Sequence, residues 1–220
     1  MSQPIKCFFL EPTDRIQRYL RRYSHYVDDT LKCGGTKSYH EAMIPYDVVA
    51  TPSEEIIRDY SLDIHGVISA FPTTCTCGYE FTSGDATQIF CDHIYRRTDT
   101  GEQYPFRDAP AGAMFYRDYI IENYATWDHT KPHPFWPGPD GHVLEVRLPG
   151  GKDWCPDSRC SNCTLPADNN HRCWVRVGTP PDVDVSKGQP GQSCQAGGGS
   201  IIVSGWHGFL RNGFLVECEC

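Results

Sequence analysis

The stretch DWCPDSRCSNCTLPADNNHRCW constrains this chain more than any other. It gathers Cys155, Cys160, Cys163, His171 and Cys173 within 19 residues, in polar, turn-rich sequence with no helical or strand periodicity. A second grouping lies upstream, where Cys33 and His40 precede Cys75-Thr76-Cys77-Gly78-Tyr79. Twelve cysteines among 220 residues is well above ordinary usage, yet below the ~8–10% of a scaffold built on disulfides. Compartment decides between the two uses of a thiol. The opening MSQPIKCFFLEPTDRIQRYLRRYS has no basic start, no apolar core of roughly 7–15 residues and no small-residue cleavage site. The expectation is therefore a chain made in the cytoplasm with reduced thiols, which favours metal ligation over a disulfide framework.

Two four-ligand sets follow. Zinc takes four N/S donors in a tetrahedron, and structural sites use Cys₄ or Cys₃His. In the first set, a Cys-x-Cys pair before a glycine turns two thiols toward one point, and Cys33 with His40 supplies the other pair. Cys91 and His93 are the nearest substitutes. In the second and weaker set, Cys160-Ser161-Asn162-Cys163 has the x₂ spacing of a zinc knuckle. His171 and Cys173 close it, with Cys194, Cys218 and Cys220 able to fold back against it. The alternative for the first set is that Cys75 and Cys77 lie on opposite faces of a strand with only one buried. For the second, it is that its cysteines line a β core or form disulfides after release into an oxidising medium.

A catalytic arrangement is also conceivable on these residues. Cys163 with His171 has the makings of a nucleophile and base, oriented by Asp153, Asp157 or Asp168. An open zinc position with Glu41 as base is the other route. No H-E-x-x-H, H-x-E with P-C-x-x-C, or G-x-S-x-G accompanies them. A non-enzymatic protein with no catalytic residue is expected, with a zinc- or cysteine-dependent hydrolase as the alternative.

Glycine (20) and proline (17) make up about one residue in six, which favours short elements joined by defined turns. Residues 5–10 read as a strand. After Pro12 a helix is expected, capped by Thr13, with Ile16, Tyr19, Leu20 and Tyr23 at i, i+3, i+4 and i+7 along one face. Arg15, Arg18, Arg21 and Arg22 would then form its solvated side. Residues 39–43 and 86–96 suit strand or helix about equally, and Phe115–Tyr124 reads as a short aromatic helix.

Beyond the proline-rich 126–142 the pattern turns to β. Val143–Leu148 alternates, Pro149-Gly150-Gly151 turns, and Lys152–Trp154 returns. Strands are expected at 173–177 and 201–204, and a hairpin over 208–220 turning at Asn212-Gly213. Together these predict a β-rich α+β fold: a single zinc-stabilised domain over 1–220 with a peripheral N-terminal helix. Its subregions would be 1–125 and 143–220, joined by 126–142. A net charge of −8 argues against nucleic acid as a partner. No apolar run approaches the roughly 18–20 residues of a membrane-spanning helix, so no membrane partner is expected.

The segments CTCGYEF, IYRRTDTGE with RDAPAGAM, and SNCTLPADNNHRCWVRVG with GGGSI and HGFLRNG resemble a family of uncharacterised proteins of tailed phages and phage-like bacterial regions. The likeness runs from about residue 33 to 218. It implies a Cys, a Tyr-His pair and a Cys-x-Cys-Gly as recurring positions, matched here by Cys33, Tyr39-His40 and Cys75/Cys77. It also implies that Cys160 is a variable position, which favours the first set as the metal site. The expected function is that of a phage-associated structural or accessory protein, made in the host cytoplasm. It would be assembled with other protein subunits, in the virion or as a homo-oligomer.

Overall fold

The computed structural model describes residues 2–24, 33, 39–50, 68–117, 137–160, 163, 173–187 and 199–219. In chain order the strands are β1 (Ile5–Lys6), β2 (Phe8–Tyr23), β3 (Glu41–Ala50), β4 (Ala86–Arg97), β5 (Gln103–Pro105), β6 (Ala113–Tyr116) and β7 (Leu144–Arg147). They continue with β8 (Asp153–Trp154), β9 (Trp174–Thr179), β10 (Asp182–Lys187), β11 (Ile201–Val203), β12 (Trp206–Arg211) and β13 (Phe214–Glu217). Single 3₁₀ turns occur at Ile68–Ala70 and Phe106–Asp108. Among the described residues there is no α-helix, so the fold is all-β, which corrects the α+β expectation. None of the described elements is a helix long and apolar enough to cross a membrane.

Two compact units form. One comprises Met1–Glu11, Arg96–Glu102 and Ala109–Cys220; the other comprises Pro12–Tyr95 and Gln103–Asp108.

In the first unit, a four-stranded antiparallel sheet runs β1-β13-β12-β11. The Asn212-Gly213 hairpin forms as expected, with both turn residues at positive φ (45° and 74°), the backbone that such a two-residue loop demands. The Gly150-Gly151 turn likewise pairs Val146 with Trp154 and Arg147 with Asp153. Strands β9 and β10 form a separate antiparallel ribbon. Their apolar faces meet in one core that includes Leu144, Val146, Trp154, Trp174, Val183, Val185, Ile201, Trp206, Leu210 and Leu215. Trp154 and Trp174 pack edge to face at 5.3 Å.

The alternation of Leu-Glu-Val-Arg in β7 is real, but its polar face is covered too, and all four residues are buried. Glu145 pairs with Arg117, while Arg147 grips Asp153 through two nitrogens (2.8 and 3.2 Å) and donates to the Ala109 carbonyl. Burial raises the Glu145 carboxyl to about 7, against the opposing pull of Arg117.

Arg176 presents the sharper case. It lies opposite Val185 on the inward side of the β9–β10 ribbon, with 1% of its side chain exposed. A lone charge there would be prohibitive. Asp140 takes both terminal nitrogens (2.7 and 2.8 Å), Asp157 takes Nε, and the His142 carbonyl takes one more proton. Asp157 also accepts the Leu144 N–H, and Tyr116 donates to Asp140.

In the second unit, residues 15–23 of β2 pair antiparallel with β3, with a register shift at Arg18/Tyr19. The helix expected from Thr13 onward is this strand. The misleading spacing has a clear cause, because the strand is covered on both faces. Tyr19 packs with Phe90, Arg107 and Asp108, and its neighbour Leu20 packs with Phe71 and Ile89. Burial at Ile16, Tyr19 and Leu20 then mimics i, i+3, i+4. The arginines are not a bare solvated face either: Arg18 pairs with Asp47, Arg21 with Glu41, and Arg22 reaches the Thr82 carbonyl. The start of the helix expected over Phe115–Tyr124 is strand instead. Residues 113–116 are β6, and 118–124 lie outside the described residues. Of 126–142, only 137–142 is described.

Candidate metal centre

Residues 73–81 double back on themselves. Phe81 donates to Thr73, Thr74 bridges Glu80, and the Cys75 N–H meets the Tyr79 carbonyl at 2.8 Å. The Gly78 N–H then closes onto the Cys75 carbonyl (2.9 Å), at φ +91°, a backbone glycine adopts without strain. This knuckle offers Cys75, which is buried, and Cys77, which is exposed.

His40 arrives from the start of β3. It exchanges two backbone hydrogen bonds with Ser24: its N–H donates to Oγ (2.9 Å), and its carbonyl accepts the Ser24 N–H (3.0 Å). The His40 ring lies flat on Tyr79, with centroids 4.1 Å apart and planes 3° from parallel. Its orientation is therefore set by backbone on one side and by an aromatic face on the other. Nδ1 sits 3.1 Å from Cys77 Sγ. Cys33, buried, brings its Sγ within 3.4 Å of Cys75 Sγ. Cys75 also reaches the Glu41 carbonyl oxygen at 3.3 Å, which ties the knuckle to β3.

All four donor atoms lie within 4.8 Å of one another. A tetrahedron of Zn–S bonds of about 2.3 Å has sulfur edges of about 3.8 Å, so this spacing is that of ligands around one ion. The protonation chemistry agrees. Burial opposes ionisation of Cys75, but hydrogen bonds from the Cys77 backbone and the Cys33 thiol outweigh it and lower Cys75 to about 6. Donating to Cys75, together with burial, pushes Cys33 up to about 11. A cation in the middle would replace the shared proton.

Of the second set, the structure brings Cys160, Cys163 and Cys173 together, again with their sulfurs within 4.8 Å. His171, Asp168, Cys194 and Cys220 lie outside the described residues. Cys155 stands apart as a core thiol, raised by burial well above the ordinary range, and Cys218 closes the β12–β13 hairpin by donating its N–H to His207. Cys91 packs against the small cluster of Leu20, Phe71 and Ile89, and His93 is exposed on β4, so neither joins the first set.

Among the described residues, the acids considered for catalysis are occupied elsewhere. Asp153 holds Arg147, Asp157 holds Arg176 and the Leu144 N–H, and Glu41 holds Arg21 (2.6 Å). Two features were not read from the sequence: Tyr79 as the rest for His40, and the Asp140–Arg176–Asp157 cluster. The first sits in plain view two residues after Cys77. The second had no signal, since its members are 36 and 19 residues apart.

Compared with protein-family models, curated proteins and solved structures, the chain matches none.

Proposed function

We propose that this protein is a zinc-stabilised structural component without catalytic activity of its own. One observation carries the reading: Cys33, His40, Cys75 and Cys77 converge with their donor atoms within 4.8 Å. Three thiolates and one imidazole form a closed set for zinc, with no coordination position left for substrate or water. Among the described residues, the acids considered for a hydrolase, Glu41, Asp153 and Asp157, are engaged in ion pairs. The resemblance to phage-encoded proteins adds a role as an accessory or virion-assembled protein, working with other subunits. In keeping with assembly, β3 exposes Ile44, Tyr46 and Val48 beside its pairing with β2.

The test is elemental analysis of reduced protein purified without chelator. Stoichiometric zinc is expected, and Cys75→Ser should lose one equivalent. Native protein without bound metal, or a Cys75→Ser variant with its metal intact, overturns the proposal.

A further inference from the structure

The first unit has a metal ligand set of its own. We infer that Cys160, Cys163 and Cys173 bind a second thiophilic divalent cation, zinc above all, independently of the site at Cys75. Three features support it, and none depends on the first centre.

The first is geometry. Three sulfurs from a loop and from the residue before β9 fall within 4.8 Å of one another. Three uncharged thiols gain little from such crowding, whereas three thiolates around a dication are each satisfied. The second is how the pair is presented. The Cys163 N–H donates to the Cys160 carbonyl at 3.0 Å, a turn that points both thiols of a C-x-x-C to one side, the presentation a knuckle uses.

The third is that the set is anchored yet reachable. Cys173 is completely buried in the large core, while Cys160 and Cys163 are half-buried and pack against its edge. An arriving ion would therefore find one ligand already immobile. Arg159 places a guanidinium nitrogen 3.3 Å from Cys163 Sγ, donating to it, which helps to hold that sulfur in place. The described residues supply three donors, so the coordination is completed by a further ligand. That makes this centre more exchangeable than the closed one.

The experiment uses the full-length reduced protein and zinc as the probe, and counts metal per chain in wild type, Cys163→Ser, Cys160→Ser and Cys75→Ser. The expected counts are two for wild type and one for each variant. If Cys163→Ser keeps the wild-type count, the inference is overturned, whatever Cys75→Ser does. If Cys75→Ser alone keeps its count, the Cys75 site fails and this one stands. Should the variants not fold, alkylation of the wild type decides. Cys160 and Cys163 should be protected by zinc and become reactive when a chelator is added. Equal reactivity with and without zinc overturns it.

Discussion

The two sulfur centres use the same chemistry on very different supports. Cys160, Cys163 and Cys173 border a core containing three tryptophans and a run of fully buried aliphatic residues. Cys33, His40, Cys75 and Cys77 lie in a unit whose described buried apolar side chains are fewer: Ile16, Tyr19, Leu20, Phe71, Ile89 and Ile94. Apolar burial is worth about 1.5–3 kcal/mol per large side chain, so the first unit can hold its strands together without an ion. In the second unit an ion held by the four donors would join Cys33, the start of β3 and the 73–81 knuckle at one point. The difference teaches that a ligand set does not announce its own structural weight. The packing around it does.

Removing the metal is the strongest way to break this comparison. Structural zinc sites carry binding free energy on the order of 10 kcal/mol that folding draws on. After chelation, or in Cys75→Ser, the amides of β2 and β3 in the second unit should exchange with solvent at nearly unfolded rates. Those of the β12–β13 hairpin should stay protected. Hydrogen exchange read by mass spectrometry separates the two, and simultaneous loss in both units would refute the contrast.

A smaller effect is expected where the first unit depends on buried charge. A Cβ at Gly138 would sit 1.7 Å from an Arg176 guanidinium nitrogen. Gly138→Ala should therefore push Arg176 off Asp140, and breaking a buried ion pair costs about 3–5 kcal/mol. A thermal melt should show the loss, with exchange rising first in β9 and β10 and zinc content unchanged. A variant that melts like wild type would mean that the network adapts, and that apolar packing alone holds this unit.

The smallest effect is pH-dependent. Glu145 binds its proton more tightly in the folded state, at about 7, than in the unfolded chain, at its ordinary 4.5. Its stabilising contribution is therefore complete below the unfolded value and is lost as pH rises through the folded one. Glu145→Gln has no such proton to lose. Relative to wild type it should gain on the order of 2 kcal/mol between about pH 5 and pH 8. Chemical denaturation at the two pH values measures this, and a constant difference would place the Arg117 attraction above the cost of burial.

Legibility followed the range of the interactions. Asn212-Gly213 and Gly150-Gly151 demand positive φ locally, so their hairpins could be placed without a partner in view. The ribbon of β9 and β10 was only half visible, because β10 lies beyond Pro180-Pro181 and has charged residues between its valines. At β2 the local pattern pointed the wrong way. Tyr19 and Leu20 are buried by partners from β4 and from residues 71, 107 and 108, which no window on β2 contains.

The sequence by itself determined which donors exist and how they are spaced along the chain: a Cys-x-Cys-Gly, a Cys-x-x-Cys and the histidine of Tyr39-His40. It also determined where glycine permits the backbone to reverse. Only the tertiary structure decided that Cys33 and His40, rather than Cys91 and His93, meet Cys75 and Cys77. It likewise decided that Arg176 lies inward against two aspartates. The physical reason is the same for both. A turn is a property of a few consecutive φ and ψ angles, whereas the convergence of side chains depends on which strand faces are already covered, and those faces are covered by residues far away in the chain.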